Sequence, residues 1–193
     1  MASGGRELDP GFATPPTLAT VSGSVESAIP VASLGREGAR FVGTTTSADD
    51  VQAVMGQSQV AEPVRVFIGV ETADTIEERV ALAMAELRRT GAFDRQVLLV
   101  QAPAGSGYAN ATPVDILEIL TRGNSAAVSI GYGLLPSFLS LGKVQVAART
   151  QQLLLDAIRD ELAERPQRPT LLLYGESLGA KVQEAAVAGG PID

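Results

Sequence analysis

The sequence has no histidine, no cysteine and no tryptophan among its 193 residues. The missing cysteine excludes a disulfide framework, a thiolate metal site and a cysteine nucleophile. The missing histidine removes the usual general base at neutral pH and the commonest metal ligand. Carboxylates alone remain as strong metal ligands and they form no clustered set, so no metal and no cofactor is expected. Lysine is scarce, two residues against thirteen arginines, and the net charge is −7. Nucleic-acid affinity rests on cationic contacts to phosphate, so that balance disfavours a nucleic-acid partner.

Long apolar runs are also wanting. The longest stretch without a charged residue, 123–142, has the length to span a bilayer. It carries four glycines, Pro136, Asn124 and four serines, a composition that inserts poorly. A strand followed by an apolar loop is the better reading. The N-terminus, MASGGRELDPGF, lacks a basic segment followed by an apolar core, so no signal peptide is expected.

What is present is 45% hydrophobic residues, enough for one domain with a real core. Residues 1–30 are rich in Gly, Pro, Ser, Thr and Ala with no sustained period, and are read as a flexible tail or linker. The domain is then 31–193. A short helix is expected over residues 48–55, started by Thr46 or Ser47. From Val64 the pattern sharpens. Residues 64–70 (VRVFIGV) form a β-branched strand signal, and 96–101 (QVLLVQ), 126–130 and 170–174 (TLLLY) are further short apolar strands. Between them lie helical patterns. The first covers 76–89 and opens on a Thr75…Glu78 capping box. The second opens at Thr112 as N-cap with Pro113 in the first turn. The third covers 143–164 and is stopped by Pro166. Strands alternating with helices over short connections predict an α/β fold, a three-layer sandwich on a mainly parallel sheet.

The fourth strand runs into Gly175–Glu176–Ser177–Leu178–Gly179–Ala180, a G-x-S-x-G motif ahead of a helical segment, 178–187. Strand, motif and helix in that order are the context of a nucleophile elbow. The flanking Gly175 and Gly179 let strand and helix backbones approach, and Ser177 is held on a strained turn at the sheet edge. The Leu178 amide, at the helix start, is a candidate oxyanion donor. The alternative is an ordinary glycine-bounded turn. A second donor is sought in the loop after the second strand, at Gly105, Ser106 and Gly107, where a plain strand-to-helix turn is equally open. The apolar loop 131–138 is read as packing, with the wall of an acyl pocket as the alternative. The carboxylates of Glu71, Asp74 and Glu77 are read as helix-opening groups, and nothing marks Glu118 or Glu176 as catalytic.

Several segments then resemble a known family: LGREGARFV (34–42), VRVFIGVETADTIEER (64–79), ELRRTGAFDR (86–95), LLPSFLS (134–140) and, most clearly, RPTLLLYGESLGA (168–180). Over residues 22–187 the chain resembles the actinobacterial α/β-hydrolase family whose longer members carry an N-terminal membrane-embedded region. The resemblance implies a partial α/β-hydrolase fold, a serine hydrolase acting on an acyl ester with Ser177 as nucleophile, an active-site edge at residues 105–108 and association with a membrane. In that chain order the acid and histidine follow the serine. The expectation is therefore a chain truncated after the elbow and catalytically incomplete. The competing expectation is a non-catalytic α/β binding module. An exposed sheet edge would lead either to a complementary chain or to self-association.

Overall fold

The computed structural model describes residues 7–56, 59–105, 107–133 and 144–189. Its centre is a four-stranded, wholly parallel sheet in the order β1-β3-β2-β4, with β1 Val64–Ile68, β2 Val97–Ala102, β3 Ser125–Ile130 and β4 Thr170–Gly175. The first three strands are buried along their whole length, as their unbroken apolar runs require. The connections are helical: α3 (Ile76–Arg89) joins β1 to β2, α4 (Thr112–Leu120) joins β2 to β3, and α5 (Val144–Ala163) precedes β4. Right-handed crossovers put α3 and α5 on one face of the sheet and α4 on the other. A last helix, α6 (Leu178–Ala188), packs on α5 and over β4 and β2. Among the described residues no helix is long and apolar enough to cross a membrane.

The helix starts follow local chemistry. Thr75 accepts from the Glu78 amide while the Glu78 carboxylate accepts from the Thr75 amide, the reciprocal box that the sequence predicts. Those hydrogen bonds hold the Glu78 carboxyl below the usual carboxylate range. Helix α2 (Ala48–Met55) starts on a similar box between Ser47 and Asp50. At α4 the cap differs from expectation. Ala111 occupies the cap position, and the Asn110 side chain, not that of Thr112, satisfies a free amide by accepting from Thr112 N–H at 3.1 Å.

Two features depart from the sequence reading. Residues 35–43 form a helix, α1 (Gly35–Gly43), whose buried Phe41 stacks at a tilt on Phe67 of β1. The described part of the 1–30 segment is not a flexible tail. Val21 pairs with Arg65 in a parallel bridge, Ser22 N–H donates to Arg65 O at 3.0 Å, and Val21 and Ile29 are buried in the main core. The Ser22 and Ser27 hydroxyls both donate to the buried Glu86 carboxylate of α3. Arg89 pairs with that carboxylate and donates to the carbonyls of Ala19 and Val21. Buried apolar anchors and satisfied polar groups together fix a segment whose composition alone reads as loose.

One charge cluster braces the α4 face. Arg65, fully buried on β1, pairs with Glu118 (Nε to Oε1, 2.6 Å) and Asp115 of α4, and donates to Phe41 O at 2.8 Å. Glu118 also accepts from Thr46 N–H at 3.0 Å. Its role is to compensate a buried guanidinium.

Candidate active site at the strand–helix elbow

Between the end of β4 and the start of α6 the chain reverses through Glu176 and Ser177. Ser177 has φ 56° and ψ −123°, in a region that L-residues seldom occupy, and its neighbours hold it there. Gly179 N–H donates to Glu176 O at 2.9 Å and Ala180 N–H to Ser177 O at 3.1 Å. The two glycines of the motif are demanded by contact. A Cβ on Gly175 would meet Gly179 O closer than real Cβ contacts allow. One on Gly179 would overlap Ala102 O and come within 2.9 Å of Pro103 O. The helix therefore sits directly on the end of β2, and Ser177 is exposed at the C-terminal edge of the sheet. The Leu178 amide, first of the helix, has no carbonyl ahead of it in the helical ladder.

The loop after β2 lies against this elbow. Ala104 N–H donates to Tyr108 O, and Gly107 N–H donates to Ala104 O, both at 2.9 Å. The Gly107 amide is thus committed to its own turn. Gly105 lies within that turn, and Ser106 lies outside the described residues.

Asn110 ties the loop to its surroundings through three groups. Its Oδ1 caps α4, its backbone carbonyl accepts from the buried Gln101 side chain at 3.1 Å, and its Nδ2 donates to Glu176 Oε2 at 2.7 Å. Tyr174 OH donates to the same oxygen at 3.3 Å. Partial burial, and then the Glu176 charge, push the Tyr174 phenol up. Glu176, next to the serine in sequence, is thereby a clamp between loop and elbow. No signal in the sequence singles out Asn110 for this task.

The floor of the site is apolar. Ala102, Tyr132, Val144, Ala147 and Val182 form a second core cluster with Leu178 packed against it. Tyr132 is 4% exposed, donates to Pro103 O at 3.0 Å, and burial pushes its phenol up to about 12. Of the loop 131–138, residues 131–133 are buried, in keeping with packing, while residues 134–138 lie outside the described residues. Among the described residues no group of three or more acidic side chains is placed to hold a metal ion. A cavity of about 320 Å³ between the N-terminal segment and α1, lined by Phe12, Pro16, Leu18 and Val42 among others, shares no residue with the elbow and holds no charged group.

An exposed serine on a strained turn, a helix start and a neighbouring strand-end loop thus meet at the C-terminal edge of the sheet. The chain contains no histidine to serve as its base. In comparison with known proteins, the model of an alpha/beta-hydrolase family aligns with residues 64–191, which include every strand of the sheet and the whole elbow. No curated protein and no solved structure matches the chain.

Proposed function

Because the chain belongs to an alpha/beta-hydrolase family, we propose that it is the nucleophile-bearing part of an esterase- or lipase-like serine hydrolase, with Ser177 as nucleophile. The observation that carries this reading is the backbone of Ser177. A serine held at φ 56° between a strand and a helix, with glycines two residues to either side that leave no room for a Cβ, is a costly local structure, on the order of 1–3 kcal/mol. Exposure of the hydroxyl gives that strain a use.

In the proposed step Ser177 Oγ attacks the acyl carbonyl carbon. The Oγ–C bond forms, the hydroxyl proton passes to a base, and the carbonyl electrons collect on an oxyanion received by Leu178 N–H and the loop at Gly105. Collapse expels the alcohol, which takes the proton back. Water then repeats the sequence on the acyl-enzyme. The base is not a histidine of this chain, which has none. Glu176, the nearest carboxylate in sequence, is held by Asn110 and Tyr174. The base is therefore supplied from outside these residues. The resemblance to longer, membrane-bearing hydrolases supports an acyl ester presented near a membrane as substrate.

Without its base the chain should fall about 10⁴–10⁶ below a complete triad in kcat. Hydrolysis of p-nitrophenyl esters by the purified chain tests this. The expected result is a trace rate that Ser177→Ala removes. A full enzymic rate that depends on Ser177 would refute the incompleteness. A trace rate unchanged in Ser177→Ala would refute the nucleophile. The competing reading, a non-catalytic binding module, draws its support from the open edge of the sheet at β4.

A further inference from the structure

The loop from the end of β2 to the start of α4 is fixed at two roots. At the first, Pro103 O accepts from Tyr132 OH at 3.0 Å and lies against the backbone of Gly179. Beyond it the chain closes on itself, with Ala104 N–H bonded to Tyr108 O and Gly107 N–H bonded to Ala104 O. A turn closed by its own hydrogen bonds moves as a unit. The second root therefore decides where the loop stands relative to the elbow.

That root is Asn110. Gln101 and Tyr174 are register partners on β2 and β4, so their side chains stand side by side on one face of the sheet. The buried Gln101 amide donates to Asn110 O, and Tyr174 OH donates to Glu176 Oε2. Adjacent strands thereby present Asn110 and Glu176 to each other. Asn110 then divides its own side chain. Its Oδ1 accepts from Thr112 N–H at the start of α4, and its Nδ2 donates to Glu176 Oε2 at 2.7 Å, short as bonds to a carboxylate are. The two partners fix the orientation of the amide, because an N–H needs the acceptor and a carboxylate needs the donor. Among the common capping residues, only asparagine carries an acceptor atom and a separate donor atom. Among the described residues, this is the one hydrogen bond that crosses from the loop to the elbow.

We propose that Asn110 is a positioning residue for Ser177. By donating to the residue beside the serine, it locks the loop after β2 to the elbow in the arrangement in which that loop stabilises charge developing on a substrate. This inference rests on the reading of Ser177 as nucleophile. Asn110 itself touches no reacting atom. Its effect passes through Glu176, whose carbonyl accepts from Gly179 N–H in the turn that holds Ser177, so a shift of Glu176 is passed to the serine. Preorganised donors act because nothing has to move as charge develops, and a misplacement of about 1 Å costs about 10²-fold in rate. Loss of the Asn110–Glu176 bond should lower the maximal rate of reaction at Ser177 and leave reagent binding unchanged.

The test follows fluorophosphonate labelling of Ser177 in the full chain, at fixed imidazole and over a range of reagent concentration. This separates the maximal labelling rate from the half-saturating concentration. Asn110→Asp keeps an oxygen for Thr112 N–H and places an acid at a helix start, so the fold should persist by circular dichroism, but it sets a second carboxylate against Glu176. Its maximal rate should fall about tenfold to a hundredfold at an unchanged half-saturating concentration. Asn110→Ser, which caps α4 without reaching Glu176, should fall by a similar factor. Asn110→Asp combined with Glu176→Gln reverses the bond, the new amide donating to the new carboxylate, and should recover the rate to within about threefold of the parent. Folded Asn110 variants as fast as the parent, a reversed pair as slow as Asn110→Asp alone, or an effect confined to the half-saturating concentration would each overturn the positioning role while leaving Ser177 as nucleophile. A parent chain in which Ser177 takes up no label would overturn the nucleophile, and this role with it.

Discussion

Ser177, Gly175 and Gly179 act as one unit at the scale of single residues. The serine tolerates its backbone because the two glycines bring strand, helix and the end of β2 into contact. Gly179→Ala would drive a methyl group into the carbonyls of Ala102 and Pro103, a case of overpacking against backbone that cannot yield. We expect a loss of about 1–3 kcal/mol in chemical denaturation, with Ser177 displaced from the edge. A Gly179→Ala variant as stable as the parent would show that α6 does not sit on β2 as described. The tyrosines provide a second measurement. Tyr132 is raised to about 12 by burial, and Tyr174 is raised by burial and by Glu176. Between the ordinary phenol range and pH 12 the unfolded chain has lost the proton that folded Tyr132 retains, so the unfolded state binds fewer protons and stability falls as pH rises there. Ultraviolet titration should show Tyr132 ionising last, together with the onset of unfolding. Glu176→Gln should lower the Tyr174 transition alone. If Tyr132 titrates near the ordinary phenol value of about 10, it is not buried as described.

At the scale of elements, the buried Arg65 joins β1 to α4 and α1. Arg65→Met would leave Glu118 buried without its guanidinium, at a cost of about 3–5 kcal/mol in urea unfolding, whereas Arg65→Met with Glu118→Met should recover most of that loss. Equal destabilisation by the single and double variants would contradict a compensated pair. This is also the scale at which the sequence is most legible. The range of α3 and its Thr75–Glu78 box, the four strands to within one or two residues and the strand–elbow–helix motif are readable because their signals are local: period, cap and glycine spacing lie within a few neighbouring residues. Helix α1 is not, because Gly35, Gly38 and Gly43 weaken its helical pattern. The sequence points to Thr112 as the α4 cap because Thr112 and Asn110 are both good capping types, and only the path of the loop decides between them. The Asn110–Glu176 and Arg65–Glu118 contacts span 66 and 53 residues, and no local pattern carries them.

For the whole molecule the N-terminal segment matters most. Val21, Ile29 and the Ser22–Glu86–Arg89 hydrogen bonds make it part of the core that composition hides, because isolated apolar residues in a Gly/Pro/Ser-rich stretch show no period. Removal of residues 1–30 should lower the denaturation midpoint and expose apolar surface to dye. An unchanged midpoint would restore the reading of a flexible tail or linker. The absence of histidine likewise gains meaning at this scale. It excludes the commonest base, and, set beside the elbow and an alpha/beta-hydrolase family match, it makes the proposed reading testable with an added base. The most direct test is the rate at which a fluorophosphonate labels the purified chain, with the modified residue located by mass spectrometry, in the presence and absence of imidazole as a surrogate base. The account predicts slow modification at Ser177, accelerated by imidazole and absent in Ser177→Ala. Labelling at any other serine, or no labelling of Ser177 at any imidazole concentration, would contradict it.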